Sequence, residues 1–572
     1  MKKLSSNLYG LYYPTAFTAF FVLIIIQLFL AKMLFPADDV KKADRHHLED
    51  SELITDHKCG FPAMLQMVRD EGAEFKKQMR VLLAPRDELN EIFISPSGRF
   101  RIHYTTSGYY SIPDYDRNLN GTPDYLEFVS KSFDRAWQIE IDSLGFNPPP
   151  DSSGNPRRVY PVYCWLVTSS GVAVYGSTAL DYEIPQLSGE NYVTSIDIRT
   201  DFSFVHYPHA KDDIERDSMA IAVTAAHEFN HALQCGYRLW PGDYENRWFI
   251  ESSAVFMEEV VAAEVNDYIQ YLSSYFNNIN KPLDNRMHVY GKVVFNLLLG
   301  QRYGKNITRK IWEEIRNQRT EPALEKVLEG LGTDILGELC SLSSWLYFIK
   351  ERAVPGKFFP DAAIFEDDII FQPANPVQYT ASELLADSLP RLSFQWYCSS
   401  AEISTPHSFL LEAAEGTPAV DLTAILVNKN SGEYFQVPAS VGFTFPNEYN
   451  PDSLFFSVVN GHNYGEKYFS FRMLSKPQSE IPSSKIYVSP QPFKLSDSEP
   501  FITFRNIPPE SEIHIFSSNG KHLKTLRTYS VAGGSISWNL TTEFGHKLGS
   551  GVYIYRVESD TIEKTVKFVV VR

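Results

Sequence analysis

Beside two further stretches that look like strands, Val159–Val167 and Tyr192–Ile198, apolar and polar positions alternate with a period of two over Gly98–Thr106. That period predicts a half-buried strand. Past residue 217 the spacing becomes helical. Ser218–Ala226 reads as a buried helix with Asp217 or Ser218 as N-cap, and Gly236 falls where a C′ glycine would close it. Pro241, Gly242 and Asp243 then turn the chain. Asn246 caps a second predicted helix, Arg247–Glu259, and further helices are expected over Tyr290–Gln301, Ile307–Gln318 and Ile335–Lys350. A short sheet followed by a helical lobe is therefore expected over residues 96–358.

From about 360 the pattern returns to short alternating runs, including Arg391–Tyr397, Ser408–Glu412, Leu422–Val427, Ser453–Val459 and Lys467–Arg472. Turn residues separate them at the spacing of a β-sandwich, expected over 359–475. A Pro/Ser linker at 476–484 leads to a last all-β domain, 485–572, where Asn519-Gly520 predicts a type I′ hairpin. The expected class is thus multidomain α+β: one mixed domain followed by two all-β sandwiches.

The length of 572 residues calls for several cores, and the net charge of −17 argues against a nucleic-acid partner. Residues 1–31 carry Lys2 and Lys3 before a sixteen-residue apolar run, Ala16–Ala31. A secretory signal peptide is favoured, an uncleaved anchor is the alternative, and a membrane is expected to be met only through this segment. Either way the remainder leaves the cytoplasm, secreted or held at the cell surface. Residues 32–95 are charged and weakly helical, a pro-segment or a helical extension. Five cysteines without C-x-x-C pairs exclude a zinc ribbon, and their odd number leaves at least one thiol free. Cys235 reads as a small buried residue. Cys59 could mask a metal in a latent form, although an ordinary thiol is the simpler reading.

The chemistry lies in His227-Glu228-Phe229-Asn230-His231. On a helix, residues four apart share a face, so both imidazoles can bind one Zn²⁺, while Glu228 is placed to deprotonate a metal-bound water. The variant with a third histidine in the same string fails, since Gln234 and Tyr237 stand in its glycine and histidine slots. Glu251, on the next helix, is the expected third ligand. Glu258, seven residues on, could orient a ligand histidine or lie on a solvated helix face. Tyr290, then His288, are candidate donors to the oxyanion, with an aromatic core role the alternative for Tyr290. No G-x-S-x-G string supports a serine hydrolase.

A second loop, Asp116–Glu127, fits a twelve-residue calcium pattern. Asp116, Asn118, Asn120, Asp124 and Glu127 supply side-chain oxygens, Thr122 its carbonyl, and Gly121 the turn. No helix is expected before it, and Leu126–Ile141 is expected to be the helix after it. An Asx-rich turn without Ca²⁺ is the alternative.

Taken together, I-H-Y-T-T-S-G, D-R-N-L-N-G-T-P-D-Y-L-E, T-A-A-H-E-F-N-H-A-L-Q and W-F-I-E-S-S-A-V-F-M-E-E resemble, over about 96–350, a family of secreted bacterial proteins classed by motif as gluzincin-type zinc metalloproteases, with substrates largely unassigned. Phe256 stands where members carry Trp, away from the chemistry. The 488–493 opening, the S-N-G-K hairpin and G-V-Y-I-Y-R-V resemble C-terminal sorting domains of type IX secretion cargo, which implies secretion machinery as a partner; an ordinary accessory sandwich is the alternative. The resemblances imply a secreted zinc endopeptidase acting on a protein or peptide substrate. The competing expectation is a surface adhesion or binding protein with a structural or inactive zinc site.

Overall fold

The computed structural model describes residues 58–62, 65 and 87–365, apart from 170, 185–186, 188–190, 240–246 and 286; beyond 365 it describes the strands and adjoining turns between 377 and 571. The signal or anchor segment, most of 32–95, the Asn246 cap and the 476–484 linker lie outside the described residues.

Five strands form the first sheet: β1 (Glu91–Ile94), β2 (Phe100–Tyr104), β3 (Tyr160–Trp165), β4 (Gly176–Glu183) and β5 (Tyr192–Arg199). Their spatial order is β1-β2-β3-β5-β4. β2, β3 and β5 run parallel, while β1 and β4 are antiparallel edges. β1 and β4 escaped the sequence pattern. β1 lies ahead of the expected domain start at 96, and β4 has mostly small or polar residues, with a register shift between Leu180 and Tyr182.

Helix α1 (Asp124–Ala136) runs on into wider π-type turns over Trp137–Ser143. It begins two residues earlier than expected. Helix α2 (Asp213–Tyr237) covers the sheet. Phe229 on α2 meets Phe100 and Trp137 with ring centroids 5.4 and 5.7 Å apart. The N-cap is Asp212, not Asp217 or Ser218: its Oδ1 accepts the Glu215 N–H at 2.9 Å. Gly236 does not close the helix but lies within its last turn, where a Cβ would come 3.0 Å from Pro150 Cδ. The glycine there serves close packing, which a sequence pattern cannot separate from termination.

Helix α3 (Arg247–Val261) packs across α2, followed by α4 (Val293–Tyr303), α5 (Ile307–Ile315), α6 (Thr320–Gly330) and α7 (Ile335–Trp345). α6 was not anticipated, and α7 stops short of the expected Lys350.

The first β-sandwich pairs a five-stranded with a four-stranded sheet. One face of its five-stranded sheet packs against the helices. Trp396 donates its indole N–H to the Ser343 carbonyl at 3.1 Å, and Phe394, Trp396, Phe455 and Val459 belong to the same apolar cluster as the helices. The last domain has its own core around Phe504, Trp538, Tyr555 and Phe568. Its hairpin, Glu512–Ser517 to His522–Arg527, departs from type I′. The Gly520 N–H reaches the Ser517 carbonyl at 2.9 Å, and Gly520 alone of the pair has positive φ, 83°. A type I turn followed by a left-handed glycine bulge describes it.

Candidate metal centre

The two helices bring His227, His231 and Glu251 together, all fully or almost fully buried. The two Nε2 atoms are 3.0 Å apart, and Glu251 Oε2 and Oε1 lie 3.4 and 3.6 Å from those of His227 and His231. Ligand bonds of about 2 Å arranged tetrahedrally around one ion put neighbouring donor atoms about 3.3 Å apart. Neither Glu251 oxygen has a hydrogen-bond partner, although the residue is 0% exposed. A buried carboxylate so left is strongly destabilising unless a cation meets it. The three residues fit a divalent metal.

Each imidazole is fixed from behind. His227 Nδ1–H donates to Glu258 Oε1 at 2.7 Å, and Glu258 is buried, not on a solvated helix face. His231 Nδ1–H donates to Gln234 Oε1 at 2.9 Å. Gln234 in turn donates to Asn230 Oδ1 and to the Ile250 carbonyl, at 2.7 and 3.0 Å, so its oxygen is held toward the ring. Gln234 was considered only as a departure from another zinc pattern; its i+3 position from His231 was the available signal. These bonds leave both Nε2 atoms turned to the common centre.

Glu228 lies just outside the cluster. Thr178 on edge strand β4 bridges to its carboxylate and to its backbone carbonyl, both at 2.8 Å. This close approach needs Gly176, because a Cβ there would lie 2.8 Å from Thr224 Cγ2 and 3.0 Å from Glu228 Cγ.

A fourth group completes the cluster. The Cys59 thiol has a ligand atom within 4.8 Å of those of His227, His231 and Glu251. Cys59 thus stands among the candidate ligands and not apart from them. Phe61 stacks on His231, ring centroids 4.3 Å apart. Lys58, also buried, is paired with both Glu258 and Asp267.

The electrostatics follow from crowding. Burial alone would lower His227, but Glu251 and Glu258 outweigh it and raise its pKa to about 9. Burial would raise Glu251, yet His231 and His227 hold it below the usual carboxylate range. Burial, then Glu228 and Glu251, push the Cys59 thiol well up. A cation among them reverses that last effect, because a coordinating thiol loses its proton.

Tyr290 is brought to the site. Its ring centroid is 6.2 Å from that of His227, and its hydroxyl accepts the Cys59 N–H at 3.3 Å. Burial, then Glu251, keep its phenol protonated. His288 instead turns its Nδ1 toward Ser274, with a left-handed backbone at φ 57°.

The 116–127 loop is held by its own hydrogen bonds. Asp116 accepts the Asn120 and Gly121 N–H groups at 3.2 and 2.8 Å, and Asn120 Oδ1 accepts the Thr122 N–H at 2.8 Å. Asp124 accepts the Arg117 N–H at 3.1 Å. Glu127 faces the side-chain amides of Asn118 and Asn120 and pairs with Lys131 at 2.7 Å; Lys131 first, then Asn120, lower its pKa to about 2. Gly121 takes φ 85°, as its turn requires.

A family profile described as a family of unknown function (DUF6055) matches residues 214–328, a span that contains His227, Glu228, His231, Glu251, Glu258 and Tyr290. No curated protein matches the chain. Among solved structures, PorZ, a surface component of the type-IX secretion system of Porphyromonas gingivalis, is 22% identical over 18% of this chain and 14% of that one, with a TM-score of 0.14. Dimeric latent PorU from Porphyromonas gingivalis is 18% identical over 34% of this chain and 19% of that one, with a TM-score of 0.13. The adhesin domain of Epf from Streptococcus pyogenes is 12% identical over 33% of this chain and 77% of that one, with a TM-score of 0.13. The chain thus spans less than a fifth of PorZ and of PorU.

Proposed function

We propose that the chain is a secreted zinc-dependent endopeptidase of gluzincin type, with His227, His231 and Glu251 as the metal ligands. The observation that carries this reading is the unpartnered, fully buried Glu251 carboxylate facing two converging imidazole nitrogens. Two nitrogens and a carboxylate suit Zn²⁺ among common divalent ions. Bound there, the ion supplies Lewis acidity, which acidifies water and polarises a carbonyl.

The chain's own residues do the rest. Glu228, oriented by Thr178, takes the proton of the attacking water and can return it to the leaving amine. The protonated Tyr290 hydroxyl, which accepts the Cys59 N–H and keeps its own proton, donates to the oxyanion. Glu258 and Gln234 keep the two imidazoles in the ligating tautomer. Once the Lys58–Gly60 segment has left Gly176, the outer edge of β4 offers backbone groups to an extended protein or peptide substrate.

Secretion through the N-terminal segment, a C-terminal domain read by type IX machinery, and Ca²⁺ held by the 116–127 loop complete the proposal. Each rests on the sequence patterns given above.

A second reading has one observation in its favour. With Cys59 included, four protein groups surround the centre, as in closed structural zinc sites. Such a site would suit a surface binding or adhesion protein. Glu228, outside the ligand set yet pinned beside it, has no use in that reading. Digestion of a peptide library by zinc-loaded Cys59→Ser protein, with and without chelator, decides between them. Chelator-sensitive cleavage supports the peptidase, whereas full zinc occupancy without cleavage supports the structural site.

A further inference from the structure

We propose that Lys58–Phe61 is an internal latch: Cys59 supplies a thiolate as fourth metal ligand, and its neighbours anchor the segment along the β4 edge so that the centre is closed until the segment leaves. The inference rests on the metal-centre reading and adds a regulation to it.

The segment is held at every residue. The Lys58 carbonyl accepts the Tyr175 N–H at 3.0 Å, and the Gly60 N–H donates to the Gly176 carbonyl at 2.9 Å, so it runs parallel to the start of β4 as an added strand. That edge is where an extended substrate would bind, and the latch denies it. The Lys58 ammonium enters between Glu258 and Asp267 and lies over the Tyr175 and Tyr271 rings, 5.3 and 5.2 Å from their centroids. Because Glu258 also holds His227, one carboxylate ties the latch to a ligand. Phe61 covers His231 from the other side. Gly60 permits the approach, since a Cβ there would stand 2.7 Å from Ser177 Cβ and Oγ.

Charge points the same way. Between Glu228 and Glu251, a buried thiolate is tolerable only against a cation, and one thiolate with one carboxylate balances a divalent ion. The thiolate also takes the open position that catalytic zinc keeps for water. The Cys59 backbone N–H also donates to the Tyr290 hydroxyl, which ties the segment to that side chain. Latency therefore removes the water position and covers the start of the substrate edge together. Release exchanges the thiolate for water and protonates the thiol from solvent; no redox step is needed.

The test uses the zinc-loaded full chain, its Cys59→Ser variant and Gly60→Val, which keeps the thiol but crowds Ser177. X-ray absorption at the zinc edge should show one sulfur at about 2.3 Å in the unaltered chain, none in Cys59→Ser and a reduced contribution in Gly60→Val. Both variants should cleave peptides at least about tenfold faster than the unaltered chain, since a tethered ligand competes at high effective concentration. Absence of sulfur in the unaltered chain overturns the latch. So does equal, chelator-sensitive cleavage by all three proteins, which would leave the peptidase reading standing. Sulfur ligation with full zinc and no cleavage by either variant overturns both readings and makes Cys59 a structural ligand.

Discussion

Nδ1 of His227 lies 2.7 Å from Oε1 of Glu258, and the same carboxylate receives the ammonium of Lys58. One buried acid thus contacts both a histidine of the proposed metal centre and the Lys58–Phe61 segment beside it. Glu258→Gln keeps the shape but weakens both interactions. Zinc affinity, measured by competition with a chromophoric chelator, should fall by about 10–100-fold. Unchanged affinity would show that Glu258 orients nothing.

Gly176 allows helix α2 to approach β4. Gly176→Ala places a methyl 2.8 Å from Thr224 Cγ2 and 3.0 Å from the Asp197 carbonyl, between two elements that cannot easily part. Denaturant unfolding should show a loss of about 1–3 kcal/mol. Wild-type stability would mean that the helix and edge strand are less closely apposed.

Glu325 supplies a pH dependence remote from the centre. Burial, then the Asp334 carboxylate, raise its pKa from 4.5 to about 8 in the folded chain. The native state therefore holds a proton that the unfolded chain releases, so this contribution is present at low pH and is lost as pH rises through about 8. Stability attributable to this residue should decline from about pH 4.5 toward pH 8. Glu325→Gln should flatten that part of the profile, because its amide oxygen can still accept the Ile335 N–H. An identical slope in the variant would remove Glu325 as the cause.

Calcium is tested at the 116–127 loop. Asp116, Asp124 and Glu127 bring three carboxylates to one loop, and a cation bound there stabilises the native state by mass action, about 2.7 kcal/mol at a hundredfold excess over Kd. Calcium should raise the melting temperature, and Asp116→Ala should abolish the rise while zinc stays bound. Equal melting with calcium and with a calcium-selective chelator would reduce the loop to an Asx-rich turn.

The sequence was legible where a physical period was strong. The i, i+4 histidines and the helix carrying Glu251 were readable because side-chain direction on a helix follows from spacing alone. Strand β4 was not, since Gly176 and Thr178 suit contact with α2 and Glu228 while Ser177 lies against Gly60, which leaves no alternation to see. Gly236 was misread for the same reason: close packing and helix termination both select glycine. Cys59 lies 168 residues before His227, and no local pattern reports which distant segment will add itself to a sheet edge. The hairpin turn was found in place but not in type, because Asn-Gly suits both a type I′ turn and a type I turn with a glycine bulge.

The proposed role of Glu228 is that of general base beside a zinc held by His227, His231 and Glu251. It is tested most directly by measuring zinc content and peptide cleavage together for Cys59→Ser and for Cys59→Ser combined with Glu228→Gln. The account predicts one zinc per chain in both proteins, and a kcat lower by several orders of magnitude when Glu228 is replaced. Equal cleavage by the two proteins, or loss of zinc on replacing Glu228, would contradict it.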